Sequence, residues 1–288
     1  MSGTIQDSAP AATVRKGAGI TQGWLLLGLG LAMLAAMLVL TIFAPLIAPY
    51  SPSATSPDSL APASAAHWLG TDSIGRDVLS RLIVGGRTTL LITVSAVLIA
   101  LVAGLILGLA AGYMGGRTDE VIMRLLDVVF AFPVLLLAIA VVAALGPTVP
   151  NLILTIAIVY TPAMARVVRA PVLSVKQWDH VEAARSVGMS EMRLVLRHIL
   201  PIVVSPILVA TSLTLSQTIF TVTALSFLGL GPPPPDPNWG GMLSEARQFM
   251  ELAPLTVVGP ALAIVFATLT FIIIANGLRE VLDVGSVR

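Results

Sequence analysis

The sequence predicts an all-α membrane protein with six transmembrane helices, and three observations lead there. Hydrophobic residues make up 56% of the 288 positions and charged residues only 11%. A soluble domain carries about 25% charged residues, so this chain has too little charge to cover a folded surface in water. Its uncharged apolar runs reach the roughly 20 residues that cross a bilayer. Lys and Arg concentrate in alternate connections, the asymmetry that orients multi-span proteins.

The spans are read in order. Residues 1–23 are polar and small, with Arg15 and Lys16 at their end, and read as a disordered cytoplasmic tail. The run Trp24–Leu46 is too long for a signal-peptide core and reads as an uncleaved first span. Further spans are expected at Thr89–Tyr113, Leu125–Leu145, Asn151–Val168, Ile202–Ala224 and Leu255–Gly277. Gly146-Pro147-Thr148-Val149-Pro150 separates the third from the fourth as a turn. The chain then divides into the tail 1–23, a first span with its periplasmic segment over 24–87, a core over 88–278 and a cytoplasmic tail over 279–288. Arg117, Arg124, Arg166, Arg169, Lys176, Arg185, Arg193, Arg197 and Arg279 fall on one side. Arg76, Arg81, Arg87 and Arg247 fall on the other, which places both termini in the cytoplasm. Pro232 to Pro235 favour a stiff polyproline II stretch in the last outer loop.

Several function classes are disfavoured. A net charge of +1 gives no field to attract nucleic acid. There is no cysteine, so no thiol chemistry, and the three histidines lack metal-ligand spacing. No phosphate-binding Gly-x-x-x-x-Gly-Lys-Ser/Thr loop occurs.

The cytoplasmic segment 169–201 is the most informative. Asp179 and Glu182 have capping-box spacing before a short helix from His180 to about Val187. Gly188 permits a sharp turn, and Ser190 is placed to cap a second, amphipathic helix. On that helix Met192, Val195, Leu196 and Ile199 share one face, and Arg193 and Arg197 another. Small Ala183 and Ala184 allow close approach, so the segment suits docking to a partner protein.

Glu182-Ala183-Ala184, then Gly188, then Leu200-Pro201 resemble the cytoplasmic signature of permease subunits of ATP-binding-cassette (ABC) importers. His198 departs from the general pattern, but Arg197-His198-Ile199-Leu200-Pro201 resembles the peptide and nickel branch. Two outer segments resemble the second-type permeases of that branch. One is His67-Trp68-Leu69-Gly70-Thr71-Asp72 with Gly75-Arg76-Asp77 and Arg81; the other is Leu225 to Gly231 with Pro237-Asn238-Trp239-Gly240. The resemblance covers about Trp24 to Asp283 and implies a type I ABC-importer transmembrane fold. It implies that Glu182, Ala183, Ala184, Gly188, His198, Leu200 and Pro201 form an ATPase-coupling loop. It also implies a homologous permease as heterodimer partner, two ABC ATPases that bind the ATP and Mg, and a periplasmic or lipid-anchored solute-binding protein. The chain itself then carries no cofactor and catalyses nothing. Di- or oligopeptides are the expected cargo, with nickel chelates, glutathione or another small solute as alternatives, and a stand-alone transporter or channel as a rival of another class.

Other residues invite weaker readings. Gly104, Gly108 and Gly112 place a packing groove on the second span, facing either another helix of this chain or the partner permease. Asp119, Glu120, Arg124 and Asp127 read as a solvated loop with local pairs such as Glu120–Arg124. Arg76, Asp77 and Arg81 read as structural. His198 reads as an interfacial residue. Gln217, Thr218, Thr221 and Thr223 suit either helix-to-helix hydrogen bonds or a pathway lining.

Overall fold

A computed structural model describes residues 16–285. Its helices are α1 (Lys16–Ile42), α2 (Ala44–Ile47), α3 (Val78–Met114), α4 (Gly116–Phe130), α5 (Val134–Leu145), α6 (Val149–Val175), α7 (Asp179–Ser186), α8 (Glu191–Leu194), α9 (Leu200–Leu225), α10 (Trp239–Ala246) and α11 (Leu255–Gly285). Among the described residues five helical stretches are long and apolar enough to cross a membrane, and the bent pair α4–α5 makes a sixth.

The ends of the spans differ from the sequence reading, each for a local reason. Helix α1 starts at Lys16, so 16–23 are helical rather than tail, since no proline interrupts them; residues 1–15 lie outside the described residues. It stops at Ile42, short of Leu46, because Pro45 cannot continue it. Helix α3 starts at Val78 rather than Thr89, so the expected boundary at 87/88 falls inside a helix. Asp77 caps it, accepting from the Ser80 amide at 2.8 Å and the Ser80 hydroxyl at 2.7 Å. Helix α11 runs on to Gly285 through most of the expected C-terminal tail; residues 286–288 lie outside the described residues.

The third span is not one helix. α4 and α5 meet at 83°, because Pro133 has no amide hydrogen and disfavours a helical Phe132. The turn before α6 is present: Gly146 has φ of 89° and Thr148 caps the helix. The last outer loop turns at Pro234–Pro235, so the four prolines do not form one rod.

The most extensive helix contact is α3 on α6, followed by α1 on α11 and α11 on α9. Three apolar clusters fill the bundle. Ile92, Ala96, Leu152, Ile156 and Met164 join α3 to α6. Met37, Ile219, Trp239, Phe271 and Ile274 join α1, α9, α10 and α11. Val168, Val172, Val181, Leu194, Ile199 and Val203 gather at the end that carries α7. We call this the basic end, because Arg117, Lys176, Arg185, Arg193 and Arg197 lie there.

At the other end residues 48–77 wind back on themselves, with backbone bonds from Ser56 to Gly75, Leu60 to Asp72 and Thr71 to Ala61. Asp72 and Glu245 clasp this segment to α3 and α10 through two arginines. Arg76 Nε lies 2.6 Å from Asp72 and its Nη2 2.7 Å from Glu245; Arg81 Nη1 reaches Asp72 and lies 2.9 Å from Glu245. Arg76 and Arg81 are buried, so they act structurally here.

Candidate functional site: the loop at the basic end

Helix α6 runs seven residues beyond its expected end, through Pro171 to Val175. Lys176 then donates to the Gly112 carbonyl at 2.7 Å and ties the loop to the end of α3. Trp178 occupies the N-cap position of α7, and no side chain caps that helix. The expected capping box is therefore absent. Asp179 and Glu182 sit inside the first turn instead, where negative charge suits the helix dipole.

Val181 is fully buried in the basic-end cluster and anchors α7 from beneath. Glu182 and Ala183 are exposed on its outer side, and Ala184 is half-buried. The Glu182 carboxylate has no ion-pair or hydrogen-bond partner among the described residues. Arg185, next to it, donates to the Tyr113 hydroxyl at 3.3 Å.

Gly188 closes the helix with φ of 81°. Its amide donates to the Arg185 carbonyl at 3.0 Å and the Met189 amide to that of Ala184 at 3.3 Å. This is the paired 6→1 and 5→2 arrangement of a Schellman cap. A β-carbon at Gly188 would meet nothing within 4 Å, so backbone geometry rather than space calls for glycine.

The second helix of the loop differs from expectation. Ser190 stands at the N-cap of α8, but its side chain makes no capping bond. α8 continues through a π-turn, Val195–Ile199, directly into α9. The π-turn adds one residue to the helical repeat and rotates the apolar face. Leu194 and Ile199 are fully buried, while Met192 is 70% and Leu196 54% exposed. His198 lies in the π-turn, half-buried, 6.3 Å from the His180 ring, which meets Trp178 edge-on at 5.7 Å. Leu200 is half-buried, and Pro201, in the first turn of α9, is exposed.

The loop thus offers a free carboxylate, a small residue and four exposed apolar side chains: Trp178, Val187, Met192 and Leu196. That composition has no catalytic arrangement and suits contact with another protein. Among the described residues no three carboxylates or histidines are placed to hold a metal.

The other singled-out residues lie within the bundle. Gly104, Gly108 and Gly112 line the seam between α3 and α6. A β-carbon at 104 would overlap Met164, one at 108 would lie 2.5 Å from the Ala165 carbonyl, and one at 112 would lie 2.9 Å from Val172 Cβ. In the fifth span the Thr221 hydroxyl meets the Tyr160 hydroxyl at 2.8 Å, bridging α9 and α6. Thr218 and Thr223 are buried and Gln217 is exposed.

Asp119, Glu120, Arg124 and Asp127 form no loop; they lie on α4. Glu120 and Arg124 pair at 2.7 Å as expected. Asp119 also takes both arms of Arg169, and Asp127 pairs with Arg166, binding α4 to α6. The sequence reading missed these pairs. The helical spacing of 119, 120, 124 and 127 signals the helix, though not its partners on α6.

Comparison with known proteins decides the family. The family model "Binding-protein-dependent transport system inner membrane component" matches residues 104–285. The chain belongs to this family. A second model, the N-terminal transmembrane domain of oligopeptide transport permease C, matches residues 28–62 of the permease.

Among its relatives is a glutathione transport system permease protein of Pectobacterium atrosepticum, 48% identical over 76% of this chain and 73% of that one. Another is a dipeptide transport system permease protein of Alkalihalophilus pseudofirmus, 43% identical over 88% of this chain and 84% of that one. A di/tripeptide transport system permease protein of Pseudomonas aeruginosa is also 43% identical, over 88% and 86%.

The permease fold is similar to a subunit of the inward-facing MetNI methionine ABC transporter. The TM-score is 0.57 at 19% identity, over 71% of this chain and 96% of that one. An amino acid ABC transporter solved with histidines gives a TM-score of 0.54 at 21% identity, over 67% and 90%. The fold is therefore the type I ABC-importer transmembrane fold, and membership of the binding-protein-dependent transport family sets the stand-alone transporter or channel aside.

Proposed function

We propose that this permease pairs with a homologous permease to form the translocation pathway of an ABC importer for di- or oligopeptides. Two ATPase subunits dock at the basic end, which faces the cytoplasm, one of them on this loop, and hold the ATP and Mg themselves. A solute-binding protein meets the opposite end. The chain hydrolyses nothing. When the ATPases close on nucleotide, they draw α7 with them and shift the bundle from inward-facing toward outward-facing, because they bind the two states unequally. The Glu182 side chain carries this reading. It is an exposed carboxylate without a partner among the described residues, on a helix anchored by Val181 and flanked by exposed Trp178 and Val187.

In the assembled transporter, Glu182→Arg should cut ATP-driven dipeptide uptake at least about tenfold, a loss of about 1.4 kcal/mol or more in coupling. Insertion should stay unchanged and thermal stability should fall by no more than about 1 kcal/mol, since the Glu182 carboxylate has no ion-pair or hydrogen-bond partner among the described residues. Uptake at the normal rate would refute the docking role.

Glutathione is the second reading, favoured by the 48% identity to a glutathione permease. Competition between glutathione and dipeptide for uptake by the same transporter separates the two.

A further inference from the structure

The end of the bundle opposite the basic end holds a cavity of about 280 Å³. One water needs only about 10–15 Å³, and small-molecule sites begin at about 300 Å³. Four elements wall the cavity: α3 at Arg81, the π-turn Ser226–Leu230 that ends α9, the loop 231–238, and α10 through Ser244 and Glu245. Two of the lining groups are buried and idle. Arg81 Nε and Ser226 Oγ have no hydrogen-bond partner among the described residues, although the Arg81 side chain and Ser226 are each only 4% exposed. A buried polar group without a partner is rare in a folded protein and calls for one. A β-carbon at Gly231 would lie 2.5 Å from Ser226 Oγ, so glycine there keeps the space beside the hydroxyl open.

Charge decides which ligand this set of groups suits. Asp72 and Glu245 already balance Arg76 and Arg81, two carboxylates against two guanidiniums. Asp236 also lines the cavity, from the loop; it is exposed and has no ion-pair or hydrogen-bond partner among the described residues. The cavity is therefore left with one negative charge in excess. It also meets the C-terminal end of α9, where unpaired carbonyls form the negative pole of a helix. Such a site draws a cation and has no spare positive charge for an anion. Its other free groups are a guanidinium N–H, which needs an acceptor, and a hydroxyl, which serves a donor or an acceptor.

We propose that this cavity receives the amino-terminal end of a peptide solute. The ammonium pairs with Asp236, the first carbonyl accepts from Arg81 Nε, and the Ser226 hydroxyl meets the next amide. The order cation, acceptor, donor along a peptide's first residue matches what the cavity leaves unsatisfied. The solute's carboxylate finds no partner here and stays outside. One exposed ion pair holds little free energy, so the contact suits passage rather than storage. This inference rests on the importer reading, in which this end meets the solute-binding protein, and names the end of the cargo that this subunit holds.

The chain has no cysteine, which supplies the test. Ser244→Cys, on the cavity wall, and Arg247→Cys, exposed on the turn after α10, each place a single thiol in this subunit. The assembled transporter in nanodiscs, without the solute-binding protein, is treated with a thiosulfonate, and modification of this chain is followed by mass. Alanyl-alanine and alanyl-alanine amide both carry a free ammonium. Each should slow modification of Ser244→Cys at least about threefold, the factor 1 + [L]/Kd when ligand stands at about twice its Kd. N-acetyl-alanyl-alanine should not, and Arg247→Cys should react at one rate throughout. Adding Asp236→Asn should abolish the protection; that side chain is exposed and unpaired, so the fold does not depend on it. Protection by the acetylated dipeptide, or protection that survives Asp236→Asn, would overturn the ammonium assignment. Absence of protection by any peptide would overturn the site; if ligand-free binding protein then protects Ser244→Cys, the cavity takes a lysine of that protein instead. The labelling needs neither ATP nor transport. If the transporter fails to take up dipeptide while alanyl-alanine still protects, the cargo assigned to the importer is wrong and the site stands; normal uptake without protection sinks the site alone.

Discussion

Leu194 and Ile199 are both fully buried in the basic-end cluster, although they stand five positions apart. In an α-helix that separation puts two side chains about 140° apart. The π-turn Val195–Ile199 absorbs the extra residue and brings both onto the face shared with Val203 and Ile207. The loop is thereby continuous with α9 and seated on α6 through Val168, Val172 and Val175.

Two leucines two positions apart should then behave differently. Leu194→Ala removes a fully buried side chain and should cost about 2–5 kcal/mol. Leu196→Ala, at a 54% exposed position, should stay within about 0.5 kcal/mol. Denaturation in detergent compares them, and equal losses would contradict the π-turn register.

Gly188 has free space around it and a left-handed backbone. Gly188→Ala should therefore cost about 1–2 kcal/mol through conformation alone, while Gly188→Asn should cost less, because asparagine tolerates that region. Hydrogen exchange over 179–195 reports the loosening. If alanine proves harmless and asparagine harmful, side-chain contacts rather than φ govern the position.

In the helix seam, a methyl at Gly108 would lie 2.5 Å from the Ala165 carbonyl. Backbone must move to accept it, and overpacking of this kind costs about 1–3 kcal/mol. Gly28, with nothing within 4 Å of a built β-carbon, is the matching control. A fall in detergent melting temperature for Gly108→Ala but not for Gly28→Ala is expected, and no difference would show that the seam is loose.

The Asp72 clasp predicts an acid limit. Burial alone would raise the Asp72 carboxyl, but the amides of Arg76 and Ile74 and the guanidiniums of Arg76 and Arg81 outweigh it and hold it below its ordinary value. A depressed folded value contributes stability that is complete above the ordinary carboxylate range, near pH 4, and is lost as pH falls through the lower folded value. The melting temperature should stay level on this account from neutral pH to about 4 and decline below. Asp72→Asn leaves two buried arginines short of a partner and should lower stability by about 3 kcal/mol across the level range. It should also flatten the acid limb; a limb as steep as the wild type's would place the titrating group elsewhere.

The long apolar runs made the spans legible, and the motif from Glu182 to Pro201 made the loop legible as a unit. The inaccuracies share a cause: sequence reading weighs a residue by its own type, and tertiary partners change its worth. Arg87 looked like the edge of the second span, yet α3 starts as far back as Val78, where Asp77 caps it and Asp72 and Glu245 offset Arg81. The capping box looked complete in Asp179 and Glu182, but the N-cap falls one residue earlier, at Trp178, and leaves Glu182 free. The face of Met192 and Leu196 followed from a regular helical repeat, which one inserted residue rotated. The pairs Asp119–Arg169 and Asp127–Arg166 join positions 50 and 39 residues apart, a separation that no local pattern carries.

The seat of α1 on α11 has a consequence in time. Gly277 and Gly30 let the two helices touch closely: a β-carbon at Gly277 would lie 2.5 Å from the Leu27 amide, and one at Gly30 2.6 Å from Ile274. Of the described helices, α1 leaves the ribosome first and α11 last. α1 must therefore wait in lipid, its glycine notches unfilled, until the rest of the described chain has been threaded into the membrane. Every intermediate of synthesis has a berth open on its flank, and only the final helix closes it.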